Sequence, residues 1–343
     1  MIITSAPLRF SLVGGGSDLP AFTKQYKGRV ISSSINKRVY ITLNLSFSGD
    51  YRISYSKLEN VQSIGEIQHV LVRSCLEKVG WDGPGLEITS IADVPSDGTG
   101  LGSSSAFTVA LLLGLNRLMG NNITKYELAN QACEVEIDMA RSPIGRQDQF
   151  ASAFGGLNEF TFSNDEVVVK KLMGNHFKGE DRMIQKLNAH LLFFHFKMPR
   201  NANEILSKQG ILLESDNRSV ESTIQLADLA LSARDSILKG DLTSLGHLMT
   251  QGWTLKSQLN GDLDNPKILD ILDFAKRPKV MGAKLMGAGG GGFLAIMAEP
   301  ENHEYIKRHL ESRYPLFPIR LETAGPTYLE TTGGPYFGTR LRK

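Results

Sequence analysis

The first third of the chain is written mostly in the two-residue period of strands. Residues 1–10 read as a short strand, residues 30–44 alternate with Val39, Ile41 and Leu43 on one face, and residues 51–55 and 86–91 add two more. Between them, residues 64–79 change period. Ile67, Val70, Leu71, Cys75 and Val79 recur at three and four, which predicts a helix. Residues 107–115 are apolar on nearly every side, the mark of a helix buried between other layers. That helix should stop at Gly120-Asn121-Asn122, and Thr124-Lys125-Tyr126-Glu127 fits a capping box that opens the next one. Pro143 and Gly145 break this second helix.

From about Leu157 the texture changes. Residues 158–171 read as strand, turn and strand with Asn164-Asp165 at the turn, and residues 191–196 form a continuous apolar strand. Helical stretches follow over 202–213, 220–239 and 242–259, and Asn265-Pro266 opens another. A strand over 293–298, a helix over 301–314 and a last strand over 319–324 complete the pattern. The tail from Gly325 is rich in Gly, Thr and Pro and is expected to be poorly ordered, and part of it could be foreign to the natural sequence.

Composition narrows the class. A chain of 343 residues is long enough for two domains. Its 38 basic and 36 acidic residues nearly cancel, which argues against nucleic acid as a partner. Cys75 and Cys133 both fall in helical apolar patterns, so no disulfide framework is expected and a reduced cytoplasm is the default compartment. The first residues lack the basic start and apolar core of a signal peptide, and no apolar run reaches the length of a membrane span, so no membrane partner is expected.

The candidate chemistry lies in residues 94–118. Gly98, Gly100 and Gly102 alternate, and Ser103, Ser104 and Ser105 then open the buried helix. Glycines let backbone N–H groups converge on one point, and a helix N-terminus adds unpaired donors and a positive dipole end. Together they form an anion cradle suited to a phosphate chain. The bland alternative is a serine-capped helix, but a cap needs one serine and no glycine ladder. This is not a P-loop, since neither glycine cluster carries the required lysine. Gly287, Gly289 and Gly292 match a dinucleotide-binding spacing, yet a strand follows where that fold needs a helix. That cluster reads better as a glycine turn between strands, where backbone can approach a ligand. Phosphoryl transfer also needs a divalent cation and a carboxylate to orient or deprotonate the acceptor. One of the three serines with Glu136 would suffice for magnesium, leaving Asp148, beyond the helix break, to face the acceptor. A solvated helix carboxylate and a helix N-cap are the plain alternatives for these two acids.

These residues carry a resemblance. Pro95-Ser96-Asp97-Gly98-Thr99-Gly100-Leu101-Gly102-Ser103-Ser104-Ser105-Ala106 resembles the signature motif of the GHMP kinases, named for galactokinase, homoserine kinase, mevalonate kinase and phosphomevalonate kinase. Ala6-Pro7-Leu8-Arg9 with Gly14-Gly15-Gly16-Ser17-Asp18 resembles the first family motif, and residues 284–293 resemble the third. The resemblance implies an α+β, two-domain fold. Its N-terminal α/β domain (ribosomal protein S5 domain 2-like) carries a left-handed βαβ unit and spans residues 1–165. Its C-terminal ferredoxin-like domain spans 166–325, with the tail at 326–343.

The resemblance also implies roles. ATP and Mg2+ are the cofactors; Pro95, Gly98, Gly100, Leu101, Gly102 and Ser103 to Ser105 bind nucleotide, and Ser104 and Glu136 match the magnesium ligands. Asp148 matches the catalytic aspartate and Arg9 the arginine beside the reacting groups. Asp18, with Gly15, Gly16, Ser17, Arg146, Gln147, Arg200 and the loop Gly289-Gly290-Gly291, is expected to bind substrate. The triple glycine, Glu134-Val135-Glu136 and Arg146-Gln147-Asp148-Gln149 look most like the branch that phosphorylates D-glycero-D-manno-heptose 7-phosphate at carbon 1, a step toward nucleotide-activated heptose. Fucose kinases share much of this pattern, so fucose or galactose stays open as acceptor, and a non-catalytic sensor stays open as the other class. Where related heptose kinases have a Gly- and Ser-rich turn with arginine, this chain has Lys197-Met198-Pro199-Arg200-Asn201, in which Arg200 keeps the basic position. The expected partner is a sugar phosphate substrate, and a homodimer stays open.

Overall fold

The computed structural model describes residues 1–95, 99–173, 177–196, 202–261, 265–287 and 292–331. Twelve strands are described: β1 (Ile2–Val13), β2 (Gly28–Leu45), β3 (Tyr51–Ser54), β4 (Leu58–Val61), β5 (Leu86–Ala92), β6 (Leu157–Phe162), β7 (Val167–Lys171), β8 (Leu191–Phe196), β9 (Gly282–Leu285), β10 (Gly292–Met297), β11 (Leu321–Glu322) and β12 (Thr327–Glu330). The helices are α1 (Pro20–Thr23), α2 (Val70–Val79), α3 (Ser103–Leu118), α4 (Lys125–Cys133), α5 (Gln147–Phe154), α6 (Phe177–His190), α7 (Ala202–Ser215), α8 (Asn217–Lys239), α9 (Leu242–Asn260), α10 (Pro266–Ala275) and α11 (His303–Leu310). None of them is long and apolar enough to cross a membrane.

The long strand β2 organises the larger sheet. Its second half pairs with β5 and its first half with β6, while β1 runs antiparallel along most of its length. β3 joins β5 in parallel, with α2 in the crossover between them. Where the pairing changes hands, β2 carries Ser32, Ser33 and Ser34, all fully buried. Buried hydroxyls must be satisfied. Ser32 donates to the Phe10 carbonyl at 3.1 Å, and Ser34 donates to the Glu322 carbonyl and accepts from Gly156 N, each at 2.8 Å. Small polar side chains thus let three segments meet at one point of the sheet.

Helix α3 lies on β1 and β2 and buries nearly every side from Ala106 to Leu115, as its apolar pattern predicts. Thr4 Oγ1 donates to the Ala110 carbonyl at 2.8 Å and ties it to β1. The capping box at Thr124 forms as expected, with the Thr124 side chain on Glu127 N and the Glu127 side chain on Thr124 N. A second core of Leu192, Phe194, Phe196, Ile268, Ile271 and Ile296 fills the space beneath the antiparallel sheet β8-β10-β9. Together the mixed sheet, the second antiparallel sheet and their covering helices give the expected α+β fold.

Three local expectations are corrected. The helix expected from Ile64 starts at Val70, because the Glu59 carboxylate accepts from Gln68 N and His69 N (2.6 and 3.1 Å) and pulls that stretch out of the helix. The helix expected over 301–314 is a 3-10 turn, Pro300–Asn302, followed by α11. The expected strand at 319–324 is only the two-residue β11, and it is not the last: the supposed tail supplies β12, which pairs with Ile2 to Ser5 at the edge of the large sheet. Its mostly polar, exposed residues satisfy the backbone of an edge without adding core, so composition alone hid it. Residues 332–343 lie outside the described residues.

Helix α9 is set against β9 by a glycine contact. A Cβ at Gly282 would fall 1.9 Å from the Gly246 carbonyl oxygen, and one at Gly246 would fall 2.6 Å from the Met281 carbonyl oxygen. Gly282→Ala is expected to destabilise the fold by about 2 kcal/mol or more, since backbone must separate from backbone. Gly210→Ala, in α7 with open space around it, should instead stabilise by about 0.5–1 kcal/mol. Urea unfolding of both variants checks this, and equal effects would refute the contact.

Candidate active site

Three segments far apart in sequence converge at one carboxylate. Arg9 leaves β1 just after a register shift at Pro7, where the strand lacks a donor and bulges. Its guanidinium donates Nε to Asp148 Oδ1 at 2.7 Å, Nη2 to Asp148 Oδ2 at 2.8 Å and Nη1 to the Gly100 carbonyl at 2.6 Å. The planar fork matches both carboxylate oxygens, so the pair fixes direction as well as distance. Asp148 sits in the first turn of α5 and does not cap it; the N-cap position belongs to Arg146. The glycine loop closes in from above. Gly102 has a left-handed φ of 76°, and a Cβ there would stand 3.0 Å from Asp148 Oδ2.

The two glycine clusters touch. A Cβ on Gly100 would lie 2.6 Å from the Met286 carbonyl oxygen, and one on Gly287 would lie 2.4 Å from Gly100 Cα. Each loop is therefore glycine because the other is there. The rest of the cradle follows the sequence reading: Gly102 is the N-cap of α3, Ser103 to Ser105 form its first turn, and Thr99 and Ser103 share a hydroxyl–hydroxyl hydrogen bond of 3.1 Å. Pro95 is exposed at the approach to the loop. Gly98, Gly289, Gly290, Gly291 and Arg200 lie outside the described residues.

Beside Asp148 a second carboxylate is held by backbone. Asp18 accepts from Gly16 N at 3.1 Å, from Gln147 N at 3.0 Å and from Gln147 Nε2 at 2.9 Å. Gln147 Oε1 in turn accepts from Ser11 at 2.8 Å. Gly145 must be glycine, since a Cβ would fall 2.0 Å from Asp18 Oδ2. Burial, and then the nearby Asp148 charge, push the Asp18 carboxyl above the ordinary aspartate range. Gly16, Asp18, Gly145, Gln147 and Asp148 with Arg9 line a chamber of about 380 Å³.

Glu136 reaches the site by a change of helix geometry. After Cys133 the chain winds into a wider turn, Glu134–Met139, with bonds of the i to i+5 kind. Such turns shift the faces of a helix and recur at functional sites. Here Glu136 points inward, 1% exposed, and accepts from Gln149 Nε2 at 2.6 Å. Burial pushes its carboxyl from 4.5 up to about 7, against the hydrogen-bonding influence of Ser105, Ser104 and Gln149, with Asp148 adding to the rise. A buried acid beside the serine hydroxyls at the cradle is what a bound cation would stabilise in its charged form. Among the described residues no group of three or more His, Cys, Asp or Glu is arranged to hold a metal. A cation here would take few protein ligands, as magnesium on phosphates does.

Two substrate expectations are corrected. Arg146 does not face the chamber; its guanidinium donates to the Ser163 carbonyl and lies 5.9 Å over the Phe162 ring, because the N-cap position turns it toward the β6–β7 connection. Ser17 is fully buried, with its hydroxyl bonded to the Gly14 carbonyl and the Arg29 backbone, so it holds the glycine turn together and does not face a ligand. Conversely, sequence reasoning overlooked Ser11, Gln149, Lys256 and Lys284 as site residues. Ser11 was within reach of it, since Arg9 and Ser11 share a strand face two residues apart. Lys256 is one lysine on a long helix and carried no signal.

Comparison with known proteins identifies the family. Residues 67–156 match the model of the GHMP kinases N terminal domain and residues 233–316 that of the GHMP kinases C terminal, together more than half of the chain. The D-glycero-alpha-D-manno-heptose 7-phosphate kinase of Campylobacter jejuni is 26% identical over 311 residues, covering 87% of this chain and 90% of the relative. The bifunctional fucokinase/GDP-fucose pyrophosphorylase of Arabidopsis thaliana is 27% identical over 327 residues, 89% of this chain but only 30% of that longer protein. A crystal structure described as a D-glycero-D-manno-heptose 1-phosphate kinase from Bacteroides thetaiotaomicron superposes with a TM-score of 0.77 at 22% identity, covering 97% of this chain and all of that one.

The raised Glu136 carboxyl has a consequence for stability. A group whose folded value lies above its unfolded one contributes stability that is full below about 4.5 and is lost as pH rises through about 7. In metal-free buffer the wild type is expected to lose about 3 kcal/mol between pH 4.5 and 8 relative to Glu136→Gln, whose amide stays neutral. Urea unfolding at both pH values measures this; parallel pH slopes would show that Glu136 is solvated.

Proposed function

The chain belongs to the GHMP kinases, and we propose that within that family it is an ATP-dependent sugar 1-kinase. The acceptor we assign is D-glycero-D-manno-heptose 7-phosphate, phosphorylated on its anomeric hydroxyl to the 1,7-bisphosphate. The observation that carries this reading is the Arg9–Asp148 pair, set between a glycine cradle at a helix N-terminus and a chamber walled by Asp18 and Gln147. A phosphate donor and a polyol acceptor would meet there across one carboxylate. The heptose assignment draws on the Campylobacter relative; the Arabidopsis fucokinase, at nearly the same identity, makes fucose the second reading.

The roles follow from position. The backbone N–H groups of Gly100, Gly102 and the first turn of α3 would hold the β- and γ-phosphates. Ser104 and Glu136 would hold Mg2+, which supplies charge neutralisation on those phosphates when bound. Asp18 and Gln147, already fixed by their mutual hydrogen bonds, would take sugar hydroxyls and aim the anomeric one at Asp148. That hydroxyl replaces one Arg9 bond to Asp148 and gives its proton to the carboxylate as its oxygen attacks the γ-phosphorus. The bond from that phosphorus to the bridging oxygen breaks, and ADP leaves. Arg9 remains beside the transferring group and offsets its charge. Because Ser104, Glu136 and Asp148 are all present, a catalyst is favoured over a sensor that only binds nucleotide.

Asp148→Asn is expected to lower kcat by ~10²–10⁴-fold, the usual worth of a positioned base, while ATP affinity stays within a few-fold. Near-wild-type turnover in a coupled ADP-release assay would remove Asp148 from the mechanism. In the same assay, catalytic efficiency should be greatest for heptose 7-phosphate among that compound, unphosphorylated heptose, fucose and galactose. A winning unphosphorylated sugar would overturn the acceptor and leave the kinase.

A further inference from the structure

Lys284 stands at a position that the strand pattern reserves for an apolar side chain. On β9, Ala283 and Leu285 belong to the second core, so Lys284 between them faces the other way. Its partner across the sheet, Ala295, and the nearby Phe293 and Met297 belong to the large core that β1 shares. An ammonium set among such neighbours needs acceptors, because a charge taken out of water without hydrogen bonds is strongly disfavoured. β1 supplies two of them. Lys284 Nζ donates to the carbonyl of Ser11 at 2.5 Å and to that of Leu12 at 3.0 Å. In a regular strand successive carbonyls point to opposite edges, and one donor could not reach both. β1 is not regular here. Ser11 pairs with Ser32 but Val13 pairs with Ile31, which leaves Leu12 as an extra residue. A bulge of this kind re-aims the backbone. The bulge and the lysine are therefore matched: one turns two carbonyls to the same side, and the other satisfies them from the second half of the chain.

Ser11 is also the residue from which the acceptor wall hangs. Its hydroxyl donates to Gln147 Oε1 at 2.8 Å. Gln147 in turn donates Nε2 to Asp18 Oδ1 at 2.9 Å and its backbone N to Asp18 Oδ2 at 3.0 Å. A line of hydrogen bonds thus runs from β9 through Ser11 and Gln147 to Asp18. The phosphate side is anchored separately. Arg9 N donates to the Leu101 carbonyl at 3.0 Å, and its guanidinium holds Asp148 and the Gly100 carbonyl. We propose that Lys284 is a positioning residue for the acceptor: by holding the β1 bulge it sets Ser11, and through Ser11 the Gln147–Asp18 pair that takes the sugar hydroxyls. The inference rests on the acceptor reading given above only in placing the sugar against Asp18 and Gln147. It gives the second half of the chain a part in sugar recognition through a side chain directed at backbone.

Lys284→Met keeps the apolar stem and removes the donors. With whichever of the four sugars above is turned over best, the acceptor KM should rise by about 5–10-fold, the worth of a hydrogen bond. The KM for ATP and kcat should stay within about two-fold, as loss of acceptor binding alone implies. A purely structural lysine would lower the urea midpoint and leave both KM values unchanged, and that result would overturn the proposal. Equal rises in the two KM values would do so as well. Ser11→Ala cuts the same line one step further on and should raise the acceptor KM by a similar factor. The double variant should do little more than either alone, since both act through one connection; additive effects would refute that connection. If Lys284→Met does not fold, Lys284→Gln, whose amide keeps a donor, takes its place. An unchanged acceptor KM in Ser11→Ala sinks the proposal whether or not either lysine variant folds. Calorimetric titration with the same sugars separates this inference from the kinase reading. Binding without turnover would overturn that reading, and Lys284→Met should then weaken the sugar Kd by the same factor. A protein that binds none of the four sugars would overturn both.

Discussion

The three bonds of the Arg9 guanidinium are the constraint on which the site depends. Two hold the Asp148 carboxylate in one plane, and the third holds the Gly100 carbonyl, so one side chain joins β1, α5 and the glycine loop. Arg9 is 5% exposed, which leaves it few alternative partners in water. A buried charge pair of this kind is a poor source of net stability, because desolvation cancels most of the attraction. Its effect is geometric. Breaking it would leave a charge uncompensated in the floor of the cleft, so the rest of the cleft is arranged around keeping it intact. The bulge at Pro7, the left-handed Gly102 and the first turn of α5 all serve that arrangement.

The backbone contact between Gly100 and Gly287 extends the constraint to the second half of the chain. β9 carries Lys284 toward β1 and ends beside Gly287, while α9 carries Lys256 over the same point. The spacing of α9 from β9 is in turn fixed by Gly246 on Gly282. A change in that helix–strand distance would therefore move a lysine at the cleft as well as loosen a core. Packing and function are linked here through glycines that have no side chain to offer either.

Much of this was legible in the sequence, and what was not had physical reasons. Strand and helix periods placed most elements within a few residues, because β1, β2, α3 and β8 bury enough surface for pattern to dominate. The cradle was legible because alternate glycines before a serine-led helix serve few purposes. Glu136 was legible as a candidate cation ligand, but the wider turn that sends it inward leaves no trace in composition. β12 was missed because an edge strand needs only backbone partners. Arg146 misled because two positions from Asp148 on a strand would share its face, whereas here Arg146 is the N-cap and Asp148 lies in the helix. Sequence nearness is a poor guide to spatial nearness at a helix start.

The charge pattern of the cleft carries the argument one step further. Its acids, Asp18, Glu136 and Asp148, lie on the side of α3, α5 and the glycine turn, and burial raises the first two above their ordinary ranges. Two lysines, Lys256 and Lys284, lie on the other side, on α9 and β9. The acids are already held in place, Asp148 by the Arg9 fork and Asp18 by Gly16 N and Gln147, so their oxygens keep one direction whatever approaches them. A cleft with acids fixed on one wall and lysines on the other discriminates by orientation as well as by charge, because a group turned end for end would meet the wrong sign.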